Sequence, residues 1–222
     1  MTTGVVICSG GMDSVTLAHM LREEGDNLVL VSFNYGQRHF KELEYAKKCS
    51  QDLDVDWTLI DLTHLGNRLG GSALTDRSIA VPHGHYADLN MKLTVVPNRN
   101  AIMLSIATGI AVTEQATYVA TAVHAGDHAI YPDCRPTFID LMNQTMQIAT
   151  EGFHAPNFQI SAPFVHMTKD QIVRVGDAHA VDFTRTWSCY EGLALHCGKC
   201  GTCVERQEAF MLAGVQDPTE YQ

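Results

Sequence analysis

Ser9-Gly10-Gly11-Met12-Asp13-Ser14 has the residue types and spacing of a phosphate cradle. Two adjacent glycines let the chain turn tightly and let an anion approach its backbone N–H groups. Ser9 and Ser14 add hydroxyl donors, and Asp13 adds a carboxylate that can cap a helix or help hold Mg2+. The lysine and spacing of a Walker A loop are missing, and so is the G-x-G-x-x-G fingerprint of dinucleotide sites. The plain alternative is a tight turn with a helix cap. Its position, after the apolar run Val5-Val6-Ile7 and before a helical pattern, favours the anion, because a helix N-terminus presents free N–H groups and positive potential there.

A second constellation lies near the other end. Cys189, Cys197, Cys200 and Cys203 are spaced C-x7-C-x2-C-x2-C, while Cys8, Cys49 and Cys134 are scattered. Four thiolates suit a tetrahedral Zn2+, and Gly198 and Gly201 leave room for turns around it. Four filled positions make such a site structural rather than catalytic. An iron–sulfur cluster uses the same four ligands and stays open on spacing alone, whereas free buried thiols fit the clustering poorly.

These groups need elements to position them. Apolar runs at 3–8, 27–33, 55–62, 117–123 and 160–165 read as strands, and the segments 13–24, 39–53, 100–113, 135–150 and 168–180 read as helices. The alternation predicts an α/β fold: a parallel five-stranded sheet with helices on both faces. Residues 1–183 form that domain, and 184–222 form a small zinc-binding helical region packed on it. The stretch 66–93 shows no period and reads as a lid, a binding loop or disorder. The helix at 100–113 is apolar nearly all round, as in a core or a subunit interface. A net charge of −10, from 15 Lys plus Arg against 25 Asp plus Glu, argues against a large nucleic-acid-binding face. The N-terminus lacks the pattern of a signal peptide, and no run is long enough to span a bilayer, so the expected location is the cytoplasm.

The S-G-G-x-D-S string after a first strand resembles the PP-loop ATP pyrophosphatases, which cleave ATP between its α and β phosphates and pass AMP to a substrate oxygen. Further strings sharpen the likeness: Asn34-Tyr35-Gly36-Gln37-Arg38-His39, Val96-Pro97-Asn98-Arg99-Asn100, Tyr131-Pro132-Asp133-Cys134-Arg135-Pro136 and Thr186-Trp187-Ser188-Cys189-Tyr190. With the cysteine cluster they resemble the QueC family, 7-cyano-7-deazaguanine synthases, over residues 3–219. The resemblance implies ATP, Mg2+ and ammonia as reactants, a structural Zn2+, a homodimer, and conversion of 7-carboxy-7-deazaguanine to the nitrile preQ0, a precursor of queuosine, through adenylated carboxylate and amide. It places Cys8, Ser9, Gly10, Gly11, Met12, Asp13 and Ser14 at the pyrophosphate end of ATP. Tyr35, Gln37 and Arg38 would line the nucleotide or substrate pocket. Arg99 and Lys169 are candidates for phosphate contact, Lys169 competing with a solvated helix-start role. Tyr131, Asp133 and Arg135 are candidates for substrate contact, Asp133 as the carboxylate reading the guanine-type edge or simply as the cap of the helix near Pro136.

Two positions depart from the family pattern. Asn98 stands where a glycine is usual, and asparagine tolerates the left-handed conformation better than most residues. Ala129-Ile130 replace a usual Ser-Gly beside the substrate loop, which leaves the amide as an alternative end product. Another PP-loop adenylating enzyme and a non-catalytic nucleotide-binding zinc module are the other readings. His83, His85, His124 and His128 read as solvated or hydrogen-bonded loop histidines, with a proton shuttle as a further role for His128.

Overall fold

The computed structural model describes residues 2–85 and 89–222. Five strands form one parallel sheet: β1 (Thr3–Ile7), β2 (Asn27–Asn34), β3 (Asp56–Asp61), β4 (Tyr118–Ala120) and β5 (Gln159–Ser161), in the order β3-β2-β1-β4-β5. β1 is the centre, with Val5 paired to both Val29 and Val119. Helices cover both faces: α1 (Met12–Glu23), α2 (Glu42–Leu53), the single turn α3 (Thr63–Gly66), α4 (Arg99–Thr113), α5 (Pro136–Ala149), α6 (Lys169–Ala178) and α7 (Gly201–Ala213).

Period-two alternation divides the apolar residues between two cores. Val5, Val31 and Val119 face one way and pack with Leu104 and Ala107 of α4 and Met142 of α5. Val6, Leu30 and Ala120 face the other way and meet Leu17 of α1, Ile172 of α6 and Phe210 of α7. A central strand buried on both faces needs the continuous apolar run that the sequence carries. The order reverses direction between β1 and β4, so the loops leaving these two strands diverge and open a crevice at their C-terminal ends.

Three local outcomes differ from the sequence pattern. β4 and β5 span three residues each, shorter than the apolar runs at 117–123 and 160–165. Beyond Ala120 those side chains are apolar because they line the crevice and the core, not because the ladder continues. The described part of 66–93 is not a free lid: Ser72, Ala73 and Leu74 are fully buried, Leu74 O accepts from Arg38 N–H (2.7 Å), and Ala73 N–H donates to Leu93 O (2.6 Å). Its lack of period reflects loop backbone paired to other loops. Finally, α4 buries one face, through Met103, Leu104, Ala107, Thr108 and Ala111, and leaves Ile102, Ile106 and Ile110 half-buried.

The C-terminal segment is tied to the glycine turn by named bonds. Phe210 of α7 meets Phe183 edge-on (centroids 4.9 Å apart). Arg206, fully buried, donates to Phe183 O (3.0 Å), Thr186 Oγ1 (2.8 Å) and Ser188 Oγ (3.1 Å), and pairs with Asp217. Between those anchors Trp187 N–H donates to Gly10 O (2.9 Å). None of the described helices is long and apolar enough to cross a membrane.

Candidate active site

The crevice at the ends of β1 and β4 is lined by the glycine turn, Lys169, Arg99, His39 and Glu42. Its floor is the glycine turn. Ser14 Oγ accepts from Ser9 N–H and donates to Gly11 O (3.1 Å each), and Ser9 Oγ accepts from Gly11 N–H (3.2 Å). Gly10 has φ +87°, and a Cβ there would lie 2.1 Å from Glu42 O and 2.6 Å from Ala46 N. Glycine at this position therefore lets the turn rest directly on the first turns of α2.

One side of the crevice carries a buried ionic cluster. Lys169 opens α6, whose N-terminus is fixed by a capping box of Thr168 and Gln171. Its Nζ lies 2.6 Å from Asp13 Oδ2, 3.3 Å from Glu205 Oε2 and 3.2 Å from His124 Nε2. Burial acts to raise the Asp13 carboxyl, but Lys169 and then His124 outweigh it and hold it below the ordinary range. Burial likewise opposes charge on Lys169, yet Asp13, Glu205 and Asp127 push its pKa above the usual lysine value. Burial raises Glu205 against the pull of Lys169. Asp13 Oδ1 is buried and has no hydrogen-bond partner among the described residues.

The opposite side is aromatic. Arg99, first residue of α4, donates from Nη1 to Tyr35 OH (3.2 Å); burial disfavours its charge, but Tyr35, Tyr190 and Tyr131 keep it firmly cationic. The preceding Asn98 has φ +59°, the left-handed conformation expected where asparagine replaces glycine. Beneath Tyr35, His39 and Glu42 face the crevice and are both buried. Burial holds His39 down to about 3 and pushes Glu42 up to about 8, Gln37 and Arg99 opposing the latter.

The predicted site residues distribute unevenly. Cys8, Ser9, Gly11, Ser14, Tyr35, Arg99, Tyr131 and Lys169 line the crevice, with Asp13 bound to Lys169 and Gly10 and Met12 in the same turn. Gln37 and Arg38 lie outside the wall. Gln37 bonds Tyr35 N–H, Phe33 O and Glu42, and Arg38 donates to Asp76 O and Ile79 O. Asp133 does not cap the helix that follows it; its Oδ2 accepts from Asn100 N–H (3.1 Å) in the first turn of α4. Arg135 is exposed and donates to His128 O (2.9 Å). His124, read as an ordinary loop histidine, is buried inside the ionic cluster.

Sequence reasoning passed over Glu205, His39 and Glu42. The first stands two residues after a predicted metal ligand. The other two are three apart, His39 just before α2 and Glu42 at its first position, which places them on one side of the chain.

The four clustered cysteines are buried and their sulfurs lie within 4.8 Å of one another, with Cys197 Sγ to Cys203 Sγ at 3.9 Å. Cys197 N–H points at Cys189 Sγ (3.3 Å), and Lys199 N–H and Cys200 N–H point at Cys197 Sγ (3.4 and 3.2 Å). Such donors stabilise thiolates. Sulfurs about 2.3 Å from one tetrahedral ion stand about 3.8 Å apart, so the set fits a single ion. Among the described residues it is the one group arranged for a metal.

A parallel 3-2-1-4-5 sheet with a serine–glycine turn after its central strand, facing a buried lysine, defines a PP-loop α/β protein of the ATP-using kind. Solved structures share that fold. The chain superposes on a U34-tRNA thiolase from Methanococcus maripaludis (TM-score 0.53, 15% identity, 95% of this chain and 65% of that one) and on NMN synthetase from Francisella tularensis (TM-score 0.53, 12% identity, 97% and 78%). The family profile of queuosine biosynthesis protein QueC matches residues 3–214, and the chain belongs to that family. Relatives named 7-cyano-7-deazaguanine synthase include those of Rhizobium leguminosarum bv. trifolii (56% identical over 98% of this chain and 91% of the relative), Rhizobium meliloti (57%, 98% and 91%) and Ruegeria pomeroyi (56%, 98% and 93%).

Gly10→Ala tests the contact between turn and helix. The new methyl overlaps α2 backbone and sits at positive φ. The expected result is a stability loss of at least about 1–3 kcal/mol in denaturant titration, with a raised KM for ATP.

Proposed function

We propose that this chain converts 7-carboxy-7-deazaguanine and ammonia to 7-cyano-7-deazaguanine, consuming two ATP. The observation that carries the reading is the juxtaposition of the glycine turn with Lys169 at the mouth of β1, in a chain similar over nearly its whole length to relatives bearing that name.

The chemistry runs in two rounds. A substrate carboxylate oxygen attacks the α-phosphorus of ATP, and pyrophosphate leaves. Ammonia then attacks the acyl-adenylate, AMP leaves, a proton is lost, and the amide results. The amide oxygen attacks the α-phosphorus of a second ATP, pyrophosphate leaves again, and an N–H proton is lost. Departure of AMP with loss of the remaining N–H proton leaves the nitrile. Both rounds need the same assistance, which is stabilisation of charge on the leaving pyrophosphate.

Ser9, Gly10, Gly11 and Ser14 supply donors to that pyrophosphate, and Cys8 and Met12 fix the two ends of the turn. Lys169 and Arg99 supply the cations. Binding of phosphate frees Lys169 from Asp13, whose Oδ1 has no protein donor and suits the Mg2+ that accompanies ATP. Tyr35 and Tyr131 face the substrates, while Gln37, Arg38, Asp133 and Arg135 act by holding the loops and the first turn of α4. The four cysteines hold a structural Zn2+, and residues 184–222 are an integral buttress of the 1–183 domain.

The reading extends to a cytoplasmic homodimer that acts on ammonia and does not grip nucleic acid. Exposed Leu141 and Ile148 of α5, with Phe153, supply an apolar face beside the half-buried isoleucines of α4. Sedimentation at micromolar concentration reads the dimer directly, and a monomer there removes it.

The deciding experiment incubates metal-loaded protein with 7-carboxy-7-deazaguanine, Mg-ATP and ammonium, and follows products by mass spectrometry while AMP is counted. Nitrile with two AMP per product is the expected result. Amide alone with one AMP would mark Ala129-Ile130 as truncating the reaction. ATP left intact would sink the activity.

A further inference from the structure

His39 and Glu42 take no part in the chemistry above, yet both are buried against the same crevice. Their surroundings are unusually fixed. Gln37 Oε1 accepts from Tyr35 N–H (2.9 Å), and its Nε2 donates to Phe33 O (3.0 Å) and to Glu42 Oε1 (3.2 Å). His39 Nε2 lies 3.5 Å from the same Oε1, and the His39 ring packs on Tyr190 (centroids 5.2 Å apart). His39 Nδ1 is buried without a partner, and Glu42 Oε2 receives none of these bonds. A buried carboxyl thus has one oxygen held by Gln37 and His39, and its residue lines the crevice beside Phe33 and Tyr35.

A substrate with a guanine-type ring presents two adjacent donors, N1–H and the 2-amino group. An ionised carboxylate accepts from both at once. The crevice offers few carboxylates for this. Asp133 is outside its wall and bonded to α4, and Asp127 stands in the ionic cluster, 3.6 Å from His124. We propose that Glu42 reads the N1–H and 2-amino edge of the deazaguanine, with Gln37 and His39 positioning its carboxyl plane. This rests on the activity proposed above.

The proposal carries a signed pH dependence. The groups facing Glu42 are His39 and Tyr35 from the segment before α2, Arg99 from α4, and Cys8 at the end of β1. Burial keeps the empty carboxyl protonated up to about 8, against Gln37 and Arg99. Two ring donors favour the ionised form, so binding must release a proton. The KM for the deazaguanine therefore falls as pH rises toward about 8 and levels above it. Had Glu42 instead met the adenine of ATP, its protonated form would donate to ring N1, and the KM for ATP would stay level up to about 8 and rise above it.

The test uses full-length, metal-loaded enzyme with AMP release as readout. Glu42→Gln is expected to raise the KM for 7-carboxy-7-deazaguanine roughly ten- to a hundredfold, to flatten its pH dependence, and to leave the KM for ATP unchanged. A substrate analogue lacking the 2-amino group should be discriminated against by the unaltered enzyme and no longer by the variant. Glu42→Asp, which keeps the charge, should recover part of the discrimination. A KM change confined to ATP, or equal losses for substrate and analogue, overturns the assignment. If the variant does not fold, the pH profile and the analogue penalty of the unaltered enzyme still decide it. No AMP from the unaltered enzyme would remove the activity itself, and this assignment with it.

Discussion

Lys169→Met is expected to lower AMP formation by about a hundred- to a thousandfold and, separately, to make the protein's stability depend on pH in a way the unaltered protein's does not. Both effects come from one ammonium group. In the proposed reaction it is a buried cation beside the glycine turn, where charge would grow on the leaving pyrophosphate. In the resting fold it is the counter-ion of Asp13, at 2.6 Å, with both side chains less than a quarter exposed. Removing one partner of such a pair costs about 3–5 kcal/mol.

In the unaltered protein Lys169 and His124 depress the Asp13 carboxyl despite its burial. Asp13 therefore contributes stability above its unfolded pKa, and loses it as pH falls through the depressed folded value. In the variant burial still raises the carboxyl while only His124 and Arg206 remain to lower it, so the folded pKa moves up from its depressed value. The folded variant then takes up protons more readily, and its deficit is largest near pH 8 and shrinks toward pH 5. Urea titrations of both proteins at the two pH values check this. A deficit independent of pH would mean that Lys169 stabilises by packing its methylenes rather than by its charge. Lys169→Arg keeps the cation but not the compact ammonium, and should recover most of the stability and little of the turnover.

How much of this could be read in advance depended on whether a residue's role is local. The sheet was legible because central parallel strands are buried on both faces, and runs such as Val5-Val6-Ile7 and Leu28-Val29-Leu30-Val31 have few other uses. The glycine turn was legible because its φ and its close approach to α2 exclude other residues. Asn98 was legible for the same kind of reason. Glu42 was not, since a glutamate in the first turn of an amphipathic helix is ordinary until the fold turns it inward onto Gln37. His124 and Glu205 are 81 residues apart in sequence and meet only through Lys169. Asp133 illustrates the converse: a cap on the helix after it was the local expectation, but the fold turns its Oδ2 to Asn100 N–H in the first turn of α4. The buried part of 66–93 was hidden because loop-to-loop pairing through Leu74 and Ala73 leaves no periodic trace.

Cys203→Ser, or chelation of the intact protein, is expected to abolish AMP formation although no cysteine of the cluster touches ATP. The path is short and fully named. Cys189 and Cys197 bracket the turn that carries His196, whose Nε2 accepts from Ser188 N–H (3.1 Å). Cys200 and Cys203 open α7, which delivers Arg206 to Thr186 and Ser188. The segment clamped from both sides places Trp187 N–H on Gly10 O (2.9 Å). Without the ion, four buried thiols replace it and the segment keeps only its hydrogen bonds with His196, Arg206 and Gly10. If even about 5 kcal/mol is lost, well below the full binding free energy of structural zinc sites, the melting temperature of a chain this size falls by about 10–20 °C. Calorimetry with and without chelator measures the shift, and metal analysis should find one zinc per chain in the native protein and none in Cys203→Ser. The sulfur separations, all within 4.8 Å, favour that stoichiometry over a four-iron cluster, whose cysteines bind from outside and stand further apart. A protein with iron and broad visible absorption would reverse the metal assignment but keep the mechanical argument. A chelated protein that melted lower yet still formed AMP would break the argument itself, because the glycine turn would then hold its shape without Trp187.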